Sequence, residues 1–156
     1  MQNTKKNVFL LHPYPLGSLV VTNFKSALTT KANGRIHVTH CVSIYDDTAM
    51  QALTLEWLNQ VNNVLLICLT SESIPRVEQI IREKQLADES GELHEKLFTV
   101  SFGKRLPGWP PEGLHRGALE ERDFYFGFPD PERVRPQEFE RSPTMAALVA
   151  AIVGTN

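Results

Sequence analysis

Apolar residues along this chain form short continuous runs that alternate with helical stripes. Continuous runs rich in β-branched and large aliphatic residues predict strands, here at residues 8–11, 36–44, 64–69, 97–102 and 124–128. Apolar residues that recur every three or four positions predict helices between them. Such alternation is typical of a doubly wound parallel sheet. We therefore predict a single α/β domain over residues 1–156. It should have a flavodoxin-like three-layer fold with a five-stranded parallel sheet, in the strand order 2-1-3-4-5, flanked by helices.

Four apolar stripes define the main predicted helices. They consist of Leu19, Val20, Phe24, Ala27 and Leu28; of Met50, Leu53, Trp57, Leu58 and Val61; of Val77, Ile80 and Ile81; and of Met145, Leu148, Val149 and Ile152. Asp47 or Thr48 is placed to cap the second helix, and Pro75 suits the first turn of the third. The run at residues 64–69 is apolar on both faces, which predicts a central strand covered by helices on each side.

Length, composition and charge narrow the class of protein. A chain of 156 residues with 42% hydrophobic and 22% charged residues is typical of one globular domain. A formal charge of −2 offers no basic field for nucleic acid phosphates. The first apolar run is closed by His12-Pro13 and is too short for a signal peptide or a membrane span. We expect a cytoplasmic domain without direct membrane insertion, alone or as the intracellular part of a longer membrane receptor.

The cysteine, histidine and tryptophan positions favour structural roles over ligand binding. Cys41 and Cys68 lie in apolar runs, which predicts buried thiols in a reducing compartment. His37 and His40 are three residues apart in a predicted strand, so they should point to opposite faces. Trp109 lies in a proline- and glycine-rich loop, where it either tucks beneath the loop or stays exposed as a candidate anchor for a partner.

The strand ends lack the residue patterns of common enzyme sites. A phosphate-binding loop needs several glycines, and only one follows the first strand. Ser18, Ser71 and Ser73 lack the Gly-x-Ser-x-Gly surround of a strained nucleophile and are predicted to cap helices. His12 with Asp46 is the open acid–base alternative. We therefore predict no catalytic residue, metal or cofactor, and expect the outer surface to carry the function.

Several segments, taken in order, resemble a known family. They are the first strand Val8-Phe9-Leu10-Leu11, the acidic loop after the second strand, the helical segment Trp57-Leu58-Asn59-Gln60-Val61, and the strand 64–69 followed by Thr70-Ser71. Together with the aromatic strand near Phe124 and the final helix, they resemble the SEFIR domain. That domain is the cytoplasmic module of interleukin-17 receptors and their adaptor. It is a relative of the Toll/interleukin-1 receptor (TIR) domain. A TIR relative, or a shared flavodoxin-like sheet alone, remains open.

The resemblance implies homotypic association in cytoplasmic signalling, in which one such domain docks on another SEFIR or TIR-like domain or on a second copy of itself. The elements implied to carry it are the loop after the second strand and the third predicted helix. The corresponding residues are Tyr45, Asp46, Asp47, Thr48, Glu72, Arg76, Glu78, Arg82 and Glu83.

The same superfamily implies one enzymatic alternative. Some TIR domains cleave NAD with a glutamate on the helix after the third strand. Glu78 and Glu83 fall on that predicted helix. NAD cleavage by one of them is therefore the alternative to a binding module.

Overall fold

The computed structural model describes residues 5–15, 17–117 and 121–155. Five strands form one all-parallel sheet in the order β2-β1-β3-β4-β5, which confirms the predicted fold class. The strands are β1 (Lys6–His12), β2 (Ile36–Ser43), β3 (Asn63–Leu69), β4 (Leu97–Ser101) and β5 (Asp123–Tyr125). The helices are α1 (Leu19–Ala32), α2 (Asp47–Met50), α3 (Leu55–Asn59), α4 (Ile74–Glu83), α5 (Pro136–Arg141) and α6 (Pro143–Val153), with 3-10 turns at Ser71–Ser73 and Pro131–Arg133. None of these helices is long and apolar enough to cross a membrane.

Each face of the sheet has its own apolar core. One core lies beneath α1, α5 and α6 and includes Phe24 and Phe139. The other lies beneath α2, α3 and α4 and includes Phe9 and Ile80. β3 contributes alternate residues to both cores, and all seven of its residues are buried. The central strand predicted from its apolar composition is therefore confirmed.

The stripe at residues 50–61 forms two short helices, so the prediction of one continuous helix is wrong. The Thr54 hydroxyl accepts a hydrogen bond of 2.9 Å from an amide in the first turn of α3 and starts a new helix there. From the end of α4, Lys84 Nζ donates to the carbonyl oxygens of Met50 at 2.9 Å and Leu53 at 2.8 Å. A continuous helix would use these carbonyl groups for its own ladder. A side chain from a distant element thus fixes the break.

The two ends of this stripe have different surroundings. Trp57 is partly buried and meets the Phe9 ring edge-on, with centroids 5.5 Å apart, so its predicted packing role is confirmed. Val61 lies beyond α3 and is 78% exposed. Its assignment to the apolar stripe is wrong, because the chain has already left the helix and turns into β3.

β2 forms an edge of the sheet and carries a β-bulge. Its pairing with β1 shifts register between Val8 and Phe9, which leaves Thr39 as the extra residue. The shift places His37 and His40 on the same face of the sheet, so the prediction of opposite faces is wrong. His40 stacks on Phe9 with ring centroids 4.4 Å apart, which gives it a packing role.

The two cysteines have opposite environments. Cys68 lies in β3 and is fully buried, whereas Cys41 lies in β2 and is exposed. The prediction of two buried thiols is therefore wrong for Cys41. An edge strand lacks a neighbour on one side, and an apolar run on such a strand does not ensure burial.

The segment after β5 leaves the sheet earlier than predicted. Gly127 has a φ of 69°, a conformation that glycine adopts readily and that turns the chain away from the strand. Phe126 and Phe128 then pack against Phe139 of α5, with ring centroids 5.6 and 5.2 Å apart. Helix α5 itself was not predicted, since six residues with one buried side chain give no periodic stripe.

Candidate functional site

The residues implied by the family resemblance lie on two adjoining elements. One is α4 with its preceding 3-10 turn, and the other is the loop after β2 with the short helix α2. We call this region the α4 surface, and it consists of Tyr45, Asp46, Asp47, Thr48, Glu72, Arg76, Glu78, Arg82 and Glu83.

The start of α4 is fixed by a reciprocal pair of hydrogen bonds. The Ser73 amide donates to Thr70 Oγ1 at 3.2 Å, and the Thr70 amide donates to Ser73 Oγ at 2.9 Å. Thr70 is the cap of the 3-10 turn that leads into α4, and Ser73 is its reciprocal partner. The Ser73 side chain makes no capping bond to α4 itself, so the prediction that Ser73 caps this helix is wrong. The hydroxyl of Ser18 makes no capping bond, although Ser18 precedes α1. Because the apolar side of α4 is buried in the core, its charged side chains face outward.

Arg76 joins the two halves of the α4 surface. Its Nε donates to the Ile44 carbonyl oxygen, its Nη2 to Asp47 Oδ1 and its Nη1 to Gln79 Oε1, each at 3.0 Å. The Arg76 side chain is 21% exposed. Gln79 in turn donates to Glu83 at 3.0 Å. The loop and the helix are thereby held in one arrangement.

A second ion pair lies further along α4. Arg82 Nε donates to Glu78 Oε2 at 3.0 Å, and Arg82 Nη2 donates to the carbonyl oxygen of Glu112 at 3.3 Å. The Arg82 side chain is 51% exposed and the Glu78 side chain 32%. Both charge signs are therefore presented to solvent along the same helix.

The acid–base alternative of His12 and Asp46 does not form. Asp46 Oδ1 caps α2 by accepting from the Ala49 amide at 3.0 Å, so Asp46 and not Asp47 or Thr48 is the cap. His12 is 3% exposed, and its Nδ1 donates to the Tyr14 carbonyl oxygen at 3.1 Å. Burial lowers the pKa of His12 despite that hydrogen bond. The two side chains thus have separate structural partners.

The two glutamates of the enzymatic alternative lie on the open side of α4. Glu78 pairs with Arg82, and Glu83 accepts from Gln79. Neither glutamate lines any of three cavities, of about 670, 390 and 280 Å³, that lie among the described residues.

Sequence reasoning missed a partly buried polar cluster between β4, β5 and the loop at residues 103–117. Asp123 Oδ1 accepts hydrogen bonds from Thr99 Oγ1 at 2.6 Å, Trp109 Nε1 at 2.9 Å and Arg116 Nη2 at 2.7 Å. Arg116 Nε donates to Asp123 Oδ2 at 3.2 Å, and Arg116 Nη1 donates to the Leu97 carbonyl oxygen at 2.7 Å. Trp109 is partly buried here, so the loop tucks over it.

The charge of Asp123 is stabilised by these partners. Burial of the carboxyl group acts to raise its pKa, but the hydrogen bonds and charge of Arg116, with the bonds from Thr99 and Trp109, outweigh burial and lower the pKa. Asp123 therefore stays ionised and pins the loop to β5. A lone aspartate before an aromatic strand carried no sequence signal for this role.

A cavity of about 390 Å³ opens beside this cluster at the carboxyl ends of the strands. The lack of a glycine-rich loop argued against a nucleotide site here, and the sequence led us to expect that the outer surface, not a cleft, carries the function. The cavity instead arises from the loop at residues 103–117, which stands over the sheet. The residues lining it are Leu69, Thr99, Ser101, Arg105, Leu106, Trp109, Glu121, Asp123, Phe124 and Tyr125.

The chain was compared with protein families, curated proteins and solved structures. No family model, no curated protein and no solved structure matches the chain.

Proposed function

We propose that this domain is a protein–protein interaction module that associates with another SEFIR or TIR-like domain, or with a second copy of itself, in cytoplasmic signalling. The proposal draws on the order of sequence segments that resemble the SEFIR domain and on the parallel α/β sheet. Its contact region is the α4 surface.

The observation that best supports this region is the bridge made by Arg76. Hydrogen bonds to the Ile44 carbonyl oxygen and to Asp47 join the loop after β2 to α4 before any partner arrives. A surface that is already ordered loses less conformational entropy on binding than a mobile one. Bridging of this kind suits a docking surface.

The charge pattern on α4 suits pairing with a like domain. Glu78 and Arg82 carry opposite charges one helical turn apart, so an antiparallel copy of α4 can place each charge opposite its complement. Complementary charges on an exposed surface set orientation and partner choice more than affinity. The same pattern disfavours a partner that presents like charges at those positions.

A charge-swap experiment tests the proposal. The variant Glu78→Arg/Arg82→Glu keeps an ion pair within the helix and reverses the pattern. The reversed order is less favourable by only a few tenths of a kcal/mol, so thermal stability should hardly change. Tagged wild-type protein should capture untagged wild-type protein and a SEFIR or TIR-like bait, and it should capture the swapped variant about tenfold less well.

Two controls make the result specific. In the first, the swap is made at Asp130 and Arg133, an exposed ion pair outside the α4 surface, and capture should be unchanged. In the second, swapped protein is offered to swapped protein, and capture should recover because the charges are again complementary. Equal capture of wild-type and swapped protein would remove α4 from the interface. Failure to capture any SEFIR or TIR-like domain or a second copy would refute the module itself.

NAD cleavage remains testable in the same preparations. The positions of Glu78 and Glu83 favour it less than binding, since Glu78 pairs with Arg82, Glu83 accepts from Gln79, and neither lines any of three cavities among the described residues. Nicotinamide release from NAD that disappears in Glu78→Gln or Glu83→Gln would replace the binding proposal with the enzymatic one.

A further inference from the structure

The cavity beside Asp123 occupies the part of the fold where open parallel sheets bind ligands. It includes the last residues of β3, β4 and β5, extends back along β5 to Glu121, and is bordered by the loop at residues 103–117. Crevices at this edge are the usual ligand sites of doubly wound sheets. A volume of about 390 Å³ is near the lower end for small-molecule pockets. That size favours a small metabolite over a dinucleotide.

One wall carries a hydroxyl group that has no hydrogen-bond partner among the described residues. Ser101, the last residue of β4, is 8% exposed and lines the cavity. Its hydroxyl forms no hydrogen bond with another described residue, and no fully enclosed polar side-chain atom in the described chain lacks a partner. Because Ser101 lines the cavity, its hydroxyl is placed to meet a ligand there. A buried donor directed at an open space is suited to a polar ligand atom.

The floor of the cavity is cross-linked by hydrogen bonds. Asp123 is held by Thr99, Trp109 and Arg116, and these bonds fix the loop, the indole ring and β5 relative to one another. Because Asp123 and Arg116 neutralise each other, the floor presents little net charge. A preorganised floor of this kind lowers the cost of ordering a ligand.

The rest of the lining contains one residue of each charge and an apolar side. Arg105 and Glu121 both line the cavity, and neither forms an ion pair or side-chain hydrogen bond with another described residue. Leu69, Leu106 and Trp109 supply the apolar side. A guanidinium group recognises a carboxylate, and a carboxylate recognises an ammonium group.

We propose that this cavity binds a small zwitterion with an apolar side chain, of the class of a free amino acid. The ligand carboxylate lies between Arg105 and the Ser101 hydroxyl, and its ammonium group faces Glu121. Its side chain packs against Leu69 and Trp109. This site is distinct from the α4 surface and does not depend on the function proposed for that surface.

The test uses the purified domain and L-leucine, with the other apolar amino acids screened beside it. The indole N–H resonance of Trp109 reports binding directly, because that group donates to Asp123 on the cavity floor. The other tryptophan, Trp57, does not line the cavity and can be replaced as Trp57→Phe to assign the signal. L-Leucine should shift the Trp109 resonance in a saturable way.

Matched ligands and variants then separate the two charged contacts. Leucinamide lacks the carboxylate and N-acetylleucine lacks the ammonium group, so each should bind about tenfold or more weakly than leucine. Arg105→Gln should weaken leucine and N-acetylleucine by a similar factor and leave leucinamide unchanged. Glu121→Gln should weaken leucine and leucinamide and leave N-acetylleucine unchanged.

Lys104→Gln is the control, since it removes a positive charge next to Arg105 but outside the lining. Its affinity for leucine should equal that of the wild type. The proposal is overturned if no apolar amino acid shifts the Trp109 resonance. It is also overturned if leucine and leucinamide bind equally well, or if Arg105→Gln has no more effect than Lys104→Gln.

Discussion

Replacing Asp123 with alanine should destabilise the domain more than an ordinary surface substitution. The change removes the acceptor of four hydrogen bonds, from Thr99, from Trp109 and twice from Arg116. It also leaves the Arg116 guanidinium, whose side chain is 13% exposed, without its counter-ion. One bond to the Leu97 carbonyl oxygen remains.

The size of the effect follows from burial. Removing one partner of a fully buried ion pair costs about 3–5 kcal/mol. The Asp123 side chain is 31% exposed, so water can reach part of the site and the expected loss is about 2–4 kcal/mol. For a domain of this size each kcal/mol lowers Tm by about 2–4 °C. Asp123→Asn keeps one acceptor oxygen and should lie between wild type and alanine.

Urea unfolding at neutral pH, followed by tryptophan fluorescence and far-UV circular dichroism, measures this loss. Adding Arg116→Met to Asp123→Ala removes the orphaned guanidinium group, so the double variant should be less destabilised than the sum of the single variants. A loss below about 1 kcal/mol for Asp123→Ala, or simple additivity in the double variant, would refute the reasoning.

The pH dependence gives an independent check. The pKa of Asp123 is lowered from its ordinary value of 3.8 in the folded protein. A carboxyl group with a lowered folded pKa contributes stability above its unfolded pKa and loses that contribution as pH falls through the folded value. The difference between wild type and Asp123→Asn should therefore be largest near neutral pH and shrink below about pH 4.

Three further outcomes follow from the described contacts. Lys84→Met should lower the free energy of unfolding in urea by about 1.5–3 kcal/mol, because the two charged hydrogen bonds that hold the turn between α2 and α3 are lost. Amide exchange at residues 51–54 should become faster for the same reason. Lys84→Arg should retain most of the stability. The pKa of His94 is lowered, first by burial and then by the neighbouring lysine charge, and burial lowers the pKa of His12. The free energy of unfolding should therefore fall as pH drops from above 6.5 through the lowered pKa values. The decrease should be smaller in His94→Gln. A free energy of unfolding that does not change over that pH range would contradict the prediction. In thiol titration, Cys41 should react in the native protein and Cys68 only after unfolding, because Cys68 is fully buried and burial raises its pKa; equal native rates would contradict the placement of β3.

The sheet could be predicted from the sequence because its signals are local and mutually consistent. The run at residues 64–69 has apolar side chains on both faces of the strand, and only a position between two helical layers buries both faces. The stripes of α4 and α6 follow the helical period closely enough that one face of each must enter a core. Strand order then follows from the usual connections of such folds.

The features that could not be predicted depend on contacts between distant residues. The break between α2 and α3 is held by Lys84, more than thirty residues along the chain. The bulge at Thr39 changes which face the β2 side chains occupy, and no residue type marks it. The Asp123 cluster assembles side chains from two strands and a loop. The hydropathy pattern of neighbouring residues does not indicate which distant side chains will pair.

The candidate site shows the same division. Outward placement of the charged residues on α4 followed from its apolar stripe. The contact between Arg76 and Asp47 joins residues 29 positions apart and was not foreseen. The family resemblance implies a contact role for both residues, yet the Arg76 side chain is 21% exposed and that of Asp47 is 88% exposed.

That difference affects how mutational scans of this surface should be interpreted. Truncating Arg76 would free the loop carrying Tyr45 and Asp47, since the same guanidinium group holds both the Ile44 carbonyl oxygen and the Asp47 carboxylate. An alanine scan would then score Arg76 as a hot spot even if no atom of a partner touched it. Arg76 positions the loop, and the residues that determine partner choice should be sought among the side chains that it holds in place.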